Sequence, residues 1–179
     1  LEPTTLSNQK VNKSDFIKEI LNDYRLICIS REASLLGRKE VLTGKAKFGI
    51  FGDGKELAQL VMSKFFENGD FRSGYYRDQT FMMAIDELTV KQFFAGLYAH
   101  TDIEKEPNSA GRQMGGHFST KTIDKDGSWL NLSNKKNSSS DISCTASQMP
   151  RLVGLGLASK IYRNNKDLKN FEKFSNNGN

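Results

Sequence analysis

The sequence predicts a helix-rich globular domain, and three observations carry that expectation. Apolar residues recur at helical spacing in four separate stretches, and runs of period-two alternation are few. A 179-residue chain with 37% hydrophobic and 10% aromatic residues also holds enough apolar material for one sizeable core.

The elements follow in order. Ser14 is placed to cap a first helix, in which Ile17, Ile20, Leu21, Tyr24, Ile27 and Cys28 repeat with helical period as far as about Gly37. FGIFGDG is turn-rich, and Gly54 precedes a second helical pattern through Leu57, Leu60, Val61 and Phe65, which NGD at Asn68 to Asp70 breaks. A third helix, Thr89 to Ala99, aligns Val90, Phe93, Phe94, Leu97 and Tyr98. A fourth, Gln148 to Arg163, contains LVGLGLAS, whose small residues admit a close neighbour. Between them, residues 102–143 show little periodicity and many Gly, Asn, Ser and Lys. A loop that long in a compact domain is functional or disordered.

Composition excludes some functions. The net charge of +5 suits an acidic partner, but the basic residues are spread along the chain without a block, which reads against nucleic acid. No apolar run has the length of a membrane span, and the N-terminus lacks a signal-peptide pattern, which reads against a membrane partner. Cys28 and Cys144 are far apart and form no disulfide framework, so a cytoplasmic setting is expected. The chain begins without methionine and ends in FSNNGN, and a piece of a longer protein is the expectation: a flexible segment 1–13, a domain 14–163 and a polar tail 164–179.

Four motifs can carry chemistry. In GYYRDQT, Arg77 offers a planar fork of donors suited to phosphate oxygens and Tyr76 adds a hydroxyl, although a surface pair between Arg77 and Asp78 would use the same residues. In NSAGRQMGGHF, His117 follows two glycines that allow close backbone approach, although an imidazole with only a structural role is equally compatible. DISCTASQMP places Ser143, Thr145, Ser147 and Gln148 just ahead of a helix, as caps or as a binding turn. FGDGKEL lacks both the Walker lysine pattern and GxGxxG, and reads as a turn and helix start.

Taken together, REASLLGRKE, GYYRDQT, GRQMGGHF and ISCTASQMPRLVG stand in the order and at about the spacing of the thiamine diphosphate-dependent 2-oxo acid dehydrogenases. The chain resembles the α half of the decarboxylating component of the branched-chain and pyruvate dehydrogenase complexes, from about Asp15 to Arg163. The resemblance implies an α/β fold, the N-terminal part of a thiamine diphosphate-binding fold in which helices flank a parallel sheet. It implies oxidative decarboxylation of a 2-oxo acid, with the acyl group passed to a lipoyl-bearing acyltransferase and with a β half as partner. By the same resemblance Tyr76 and Arg77 contact the cofactor diphosphate, His117 serves catalysis near the substrate channel, and Ser143 and Thr145 support the aminopyrimidine ring. The turn of Ile142, Cys144, Ser147 and Gln148 matches one that holds potassium in branched-chain relatives, with Cys144 where proline is usual. The family's magnesium motif follows the fourth helix, so its ligands are expected beyond this chain, and GDG at Gly52 to Gly54 is not in that place. A transketolase-like or acetoin-cleaving enzyme would share the cofactor without the lipoyl partner, and a non-enzymatic phosphate-binding module is the remaining alternative.

Overall fold

The computed structural model describes residues 12–168. Five helices, α1 (Lys13–Leu42), α2 (Glu56–Ser63), α3 (Gln79–Ala84), α4 (Val90–Leu97) and α5 (Gln148–Asn164), accompany two short strands, β1 (Phe71–Ser73) and β2 (Asn137–Ser139). The strands pair in parallel, Phe71 opposite Asn137 and Ser73 opposite Ser139. The chain is therefore of the α/β class, helix-rich around a small parallel sheet, as expected. α1, α2 and α3 pack on one another, α4 lies on α1, and α5 lies on β1.

α1 departs from its expected form at both ends. Asn12, not Ser14, is the N-cap, its side-chain oxygen accepting from the Ser14 amide at 3.1 Å. The helix also continues past Gly37 to Leu42. Gly37 is kept inside it because a Cβ there would collide with the Phe51 ring. The apolar residues Ile17, Ile20, Leu21 and Tyr24 are exposed, whereas the buried stripe is Ser30, Ala33, Ser34 and Gly37. Small residues bring α3 so close that hydroxyls meet side chains across the seam. Ser30 Oγ lies 2.7 Å from Thr80 Oγ1, and Gln79 Nε2 donates to Ser34 Oγ at 2.5 Å.

α3 was not expected as an element, yet it carries the core. Phe81, Met82 and Met83 cluster with Ile85, Leu88 and Phe118 at 6% exposure or less, and Leu26, Phe66 and Phe93 pack around them. The positions of the strands were not anticipated: β2 and a turn of 3-10 helix (Leu132–Asn134) interrupt the segment read as a loop. α4 agrees closely with expectation and opens on a capping box between Thr89 and Gln92. It ends before Ala99, which has positive φ. Of α5, no residue is buried, and Met149, Val153 and Leu157 are more than half exposed. Residues 1–11 and 169–179, most of the expected flanking segments, lie outside the described residues.

Glu56, at the first turn of α2, ties the FGDG turn to α1. Its carboxylate accepts from Arg31 Nε at 2.6 Å and Nη2 at 2.8 Å, and from the Gly54 amide at 3.0 Å. The Arg31 guanidinium beside it holds its pKa down to about 2, although the side chain is only 4% exposed and burial opposes ionisation. The folded pKa lies below the unfolded one, so the contribution is complete above the ordinary glutamate range and is lost as pH falls toward 2. With Arg31 half exposed and screened, Glu56→Gln should cost about 2–3 kcal/mol near neutrality, and the cost should fade on acidification. Urea denaturation of both proteins across the acidic range checks this. A difference that does not change with pH would refute it.

Candidate functional site

The site is built on the turn Tyr75–Asp78, between β1 and α3. Asp78 closes the turn, its amide donating to the Tyr75 carbonyl at 3.0 Å and its Oδ2 accepting from the Tyr75 amide at 2.9 Å. The same Oδ2 accepts from Arg72 Nη1 at 2.7 Å. Asp78 is thus bound to Arg72, and the surface pair between Arg77 and Asp78 that the sequence left open is not the one formed. Gly74 is required here, because a Cβ at that position would occupy the space of the Arg72 guanidinium.

Arg72 is 9% exposed and spans two carboxylates. Its Nη2 reaches Asp141 Oδ2 at 2.6 Å, and Asp141 also accepts from the Phe118 amide at 3.2 Å and from Ser138 Oγ at 3.2 Å. Burial pushes the Asp141 carboxyl up, against the pull of Arg72. This network joins β1, the Tyr75–Asp78 turn, the residue after His117 and the segment that leads to α5.

With Asp78 engaged elsewhere, the Arg77 guanidinium is left to the site. It lies over the Tyr76 ring, 5.6 Å from its centroid, and its Nε is buried without a hydrogen-bond partner. An unsatisfied buried donor on a charged fork costs free energy that an anion would recover. The backbone beneath it is held firmly. Gln59 Nε2 donates to the Arg77 carbonyl at 2.9 Å, and Gly52 abuts the same carbonyl so closely that no Cβ would fit. Gly116, with φ of +86°, abuts the Tyr76 carbonyl in the same way. What the glycine before His117 admits is therefore this backbone carbonyl.

The other expected residues arrive from two further segments. His117 Nδ1 lies 3.1 Å from the Met114 carbonyl, which can only accept, so Nδ1 carries the proton. In the neutral imidazole, Nε2 then accepts from the Ser143 hydroxyl. Thr145 Oγ1 lies 3.4 Å from the Tyr75 hydroxyl, and the Tyr75 and Tyr76 hydroxyls are 2.5 Å apart with ring centroids 3.9 Å apart. The Tyr76 and His117 rings are 6.0 Å apart. The chain therefore brings Tyr76, Arg77, His117, Ser143 and Thr145 into one cluster.

Ser147 is the residue before α5 and Gln148 its first, and Ser147 does not cap the helix through its side chain. Gln148 Oε1 is a buried acceptor without a partner, Cys144 is exposed, and the Cys144 carbonyl accepts from the Ser147 amide at 3.1 Å. Ile142 is half-buried, its amide donating to the Gly74 carbonyl at 3.4 Å. Among the described residues no three His, Cys, Asp or Glu side chains converge as metal ligands, and no helix is long and apolar enough to cross a membrane.

Sequence reasoning missed Arg72, Asp141, Gln59 and Gly52 as supports of the site. Arg72 and Asp141 are 69 residues apart and Gln59 lies 18 residues from Arg77, so no local pattern links them. Gly52, in a turn already noted, was the only one with a local signal.

No protein-family model matches the chain. It is similar to a 2-oxoisovalerate dehydrogenase subunit alpha of Bacillus subtilis (strain 168), with 29% identity over 162 residues. The match covers 88% of this chain and 42% of that protein, so the chain spans less than half of its relative's length.

Proposed function

We propose that this chain forms the diphosphate-binding side of a thiamine diphosphate site in the α half of a 2-oxo acid dehydrogenase. The observation that carries the reading is the Arg77 guanidinium, freed from Asp78 by Arg72 and left with a buried, unpartnered Nε above Tyr76. The similarity to a 2-oxoisovalerate dehydrogenase subunit alpha supports it. Residues 14–163 are read as the N-terminal part of the cofactor-binding domain, with 1–13 and 164–179 flanking it.

Arg77 and Tyr76 would hold the diphosphate, and Ser143 and Thr145 would line the aminopyrimidine. Thiamine diphosphate, when bound, supplies the electron sink for loss of carbon dioxide from a 2-oxo acid. The protein's part is to bind, orient and move protons. With its proton on Nδ1 and its Nε2 turned to Ser143, His117 is set to exchange a proton at Nε2 once substrate displaces the hydroxyl. The orphaned Gln148 Oε1, with Ile142, Cys144 and Ser147 near it in sequence, suits a potassium ion. Magnesium is assigned to no described residue. The substrate is a branched-chain 2-oxo acid or pyruvate, the partners are a β half and a lipoyl-bearing acyltransferase, and the setting is cytoplasmic.

The test is calorimetric titration of the full-length protein with thiamine diphosphate and magnesium, followed by carbon dioxide release from branched-chain 2-oxo acids and pyruvate after assembly with its β half. Saturable cofactor binding and turnover are expected. Binding without turnover on any 2-oxo acid would overturn the dehydrogenase reading in favour of another thiamine diphosphate enzyme, and no binding would overturn the site itself.

A further inference from the structure

Tyr75 has no part in the scheme above, yet it sits at the join of the two turns that make the site. It is half-buried, with its ring 3.9 Å from that of Tyr76, and its hydroxyl is the only group that bridges the Tyr75–Asp78 turn and Thr145 among the hydrogen bonds described. The Tyr75 hydroxyl donates to the Tyr76 oxygen at 2.5 Å. Having given its proton to Tyr76, the Tyr75 oxygen is open to the Thr145 hydroxyl as donor, at 3.4 Å. The Tyr76 oxygen, already accepting, keeps its own proton for another acceptor.

We propose that Tyr75 is a positioning residue for anion binding, the middle member of a hydroxyl chain from Thr145 through Tyr75 to Tyr76 that aims the Tyr76 proton at a diphosphate. The inference rests on the reading of Tyr76 and Arg77 as diphosphate ligands, and it adds what orients one of them. Each donor in such a chain is strengthened by the one behind it. Reversal of the chain would abolish its effect: if Tyr75 ionises, its phenolate becomes an acceptor, Tyr76 donates back to it, and a negative charge stands beside the anion site.

The surroundings favour that reversal at alkaline pH. Hydrogen bonds from Thr145 and then from Tyr76 draw the Tyr75 phenol below the usual tyrosine range, with a smaller pull from Arg77, while burial and the Cys144 thiol oppose it. The Tyr76 phenol is pushed up, chiefly by its hydrogen bond with Tyr75. The Asp78 carboxylate faces the Tyr75 amide rather than its ring hydroxyl. Anion affinity should therefore fall with rising pH earlier than an ordinary tyrosine would ionise, and Tyr75 should be the cause.

The experiment titrates the full-length protein with inorganic diphosphate as probe, from neutral to alkaline pH. Tyr75→Phe keeps the ring and should lose about three- to tenfold in affinity at neutral pH, the effect of one hydrogen bond that acts through another. Its alkaline decline should also move to higher pH than in the wild type. The Cys144 thiol is common to both proteins, so it does not account for the displacement. Thr145→Val should show a smaller loss, and Tyr75→Phe with Tyr76→Phe no more loss than Tyr76→Phe by itself. Wild-type binding with an unchanged affinity and pH profile in Tyr75→Phe would overturn this inference and leave the functional reading standing. No diphosphate binding by the wild type would overturn both. Thermal unfolding of each variant separates loss of fold from loss of orientation.

Discussion

Asp141→Ala should destabilise the protein by about 3–5 kcal/mol, the cost of removing one partner from a buried ion pair. The Asp141 side chain is fully buried, and Arg72 at 9% exposure would keep Asp78 but lose the carboxylate on its other arm. Its Nε is already a buried donor without a partner, so the variant would strand a second part of the same guanidinium. The Phe118 amide and Ser138 hydroxyl would lose their acceptor as well. Asp141→Asn keeps an acceptor and should cost less. The pH dependence runs opposite to that of Glu56. Because burial raises the Asp141 carboxyl, the native state holds its proton more tightly than the unfolded chain, and this contribution is present at low pH and declines as pH rises through the raised value. Denaturant unfolding of wild type and both variants is the measurement. A loss of under about 1 kcal/mol in Asp141→Ala would mean that the network is not structural.

The second large effect is on ligand affinity. Arg77→Ala should weaken diphosphate binding by about one to two orders of magnitude, since charge-assisted hydrogen bonds contribute roughly 1.5–3 kcal/mol each. Arg77→Lys should restore only part of it, because a point charge cannot reproduce the planar fork stacked over Tyr76. Stability should scarcely change in either variant, as the Arg77 side chain makes no ion pair among the described residues and its backbone is held independently by Gln59 and Gly52. Calorimetry with thiamine diphosphate on the assembled enzyme, alongside thermal unfolding, separates the two quantities. Undiminished affinity would remove Arg77 from the site.

The helices were legible where local chemistry decides them and obscure where distant packing does. Thr89 and Gln92 mark the start of α4 in four residues, and the GDG turn marks that of α2. The buried face of α1 does not follow its apolar residues. Ser30 and Ser34 are buried since their hydroxyls find Thr80 and Gln79 across the seam, which no reading of α1 alone could show. α3 has six residues, too few to display a period, and three-residue strands reading FRS and NSS carry no alternation of apolar residues. At the candidate site, Tyr76, Arg77, His117, Ser143 and Thr145 could be singled out because each sits in a short distinctive motif, and folding brings them together. The side chains that hold them come from elsewhere in the chain, and their pairing exists only after folding.

The two glycines that press on the Tyr76 and Arg77 carbonyls bear on how this protein can vary. Gly52 and Gly116 come from separate loops, yet each leaves no room for even a methyl group against the backbone of Tyr76 and Arg77. An alanine at either position would have to displace that backbone, and so move the hydroxyl and guanidinium, although neither glycine has a side chain with which to touch a ligand. Mutational tolerance should therefore be low at positions that present no side chain to a ligand. Exposed apolar positions such as Val153 and Leu157, which look more consequential on paper, can change with little effect on the geometry of the site.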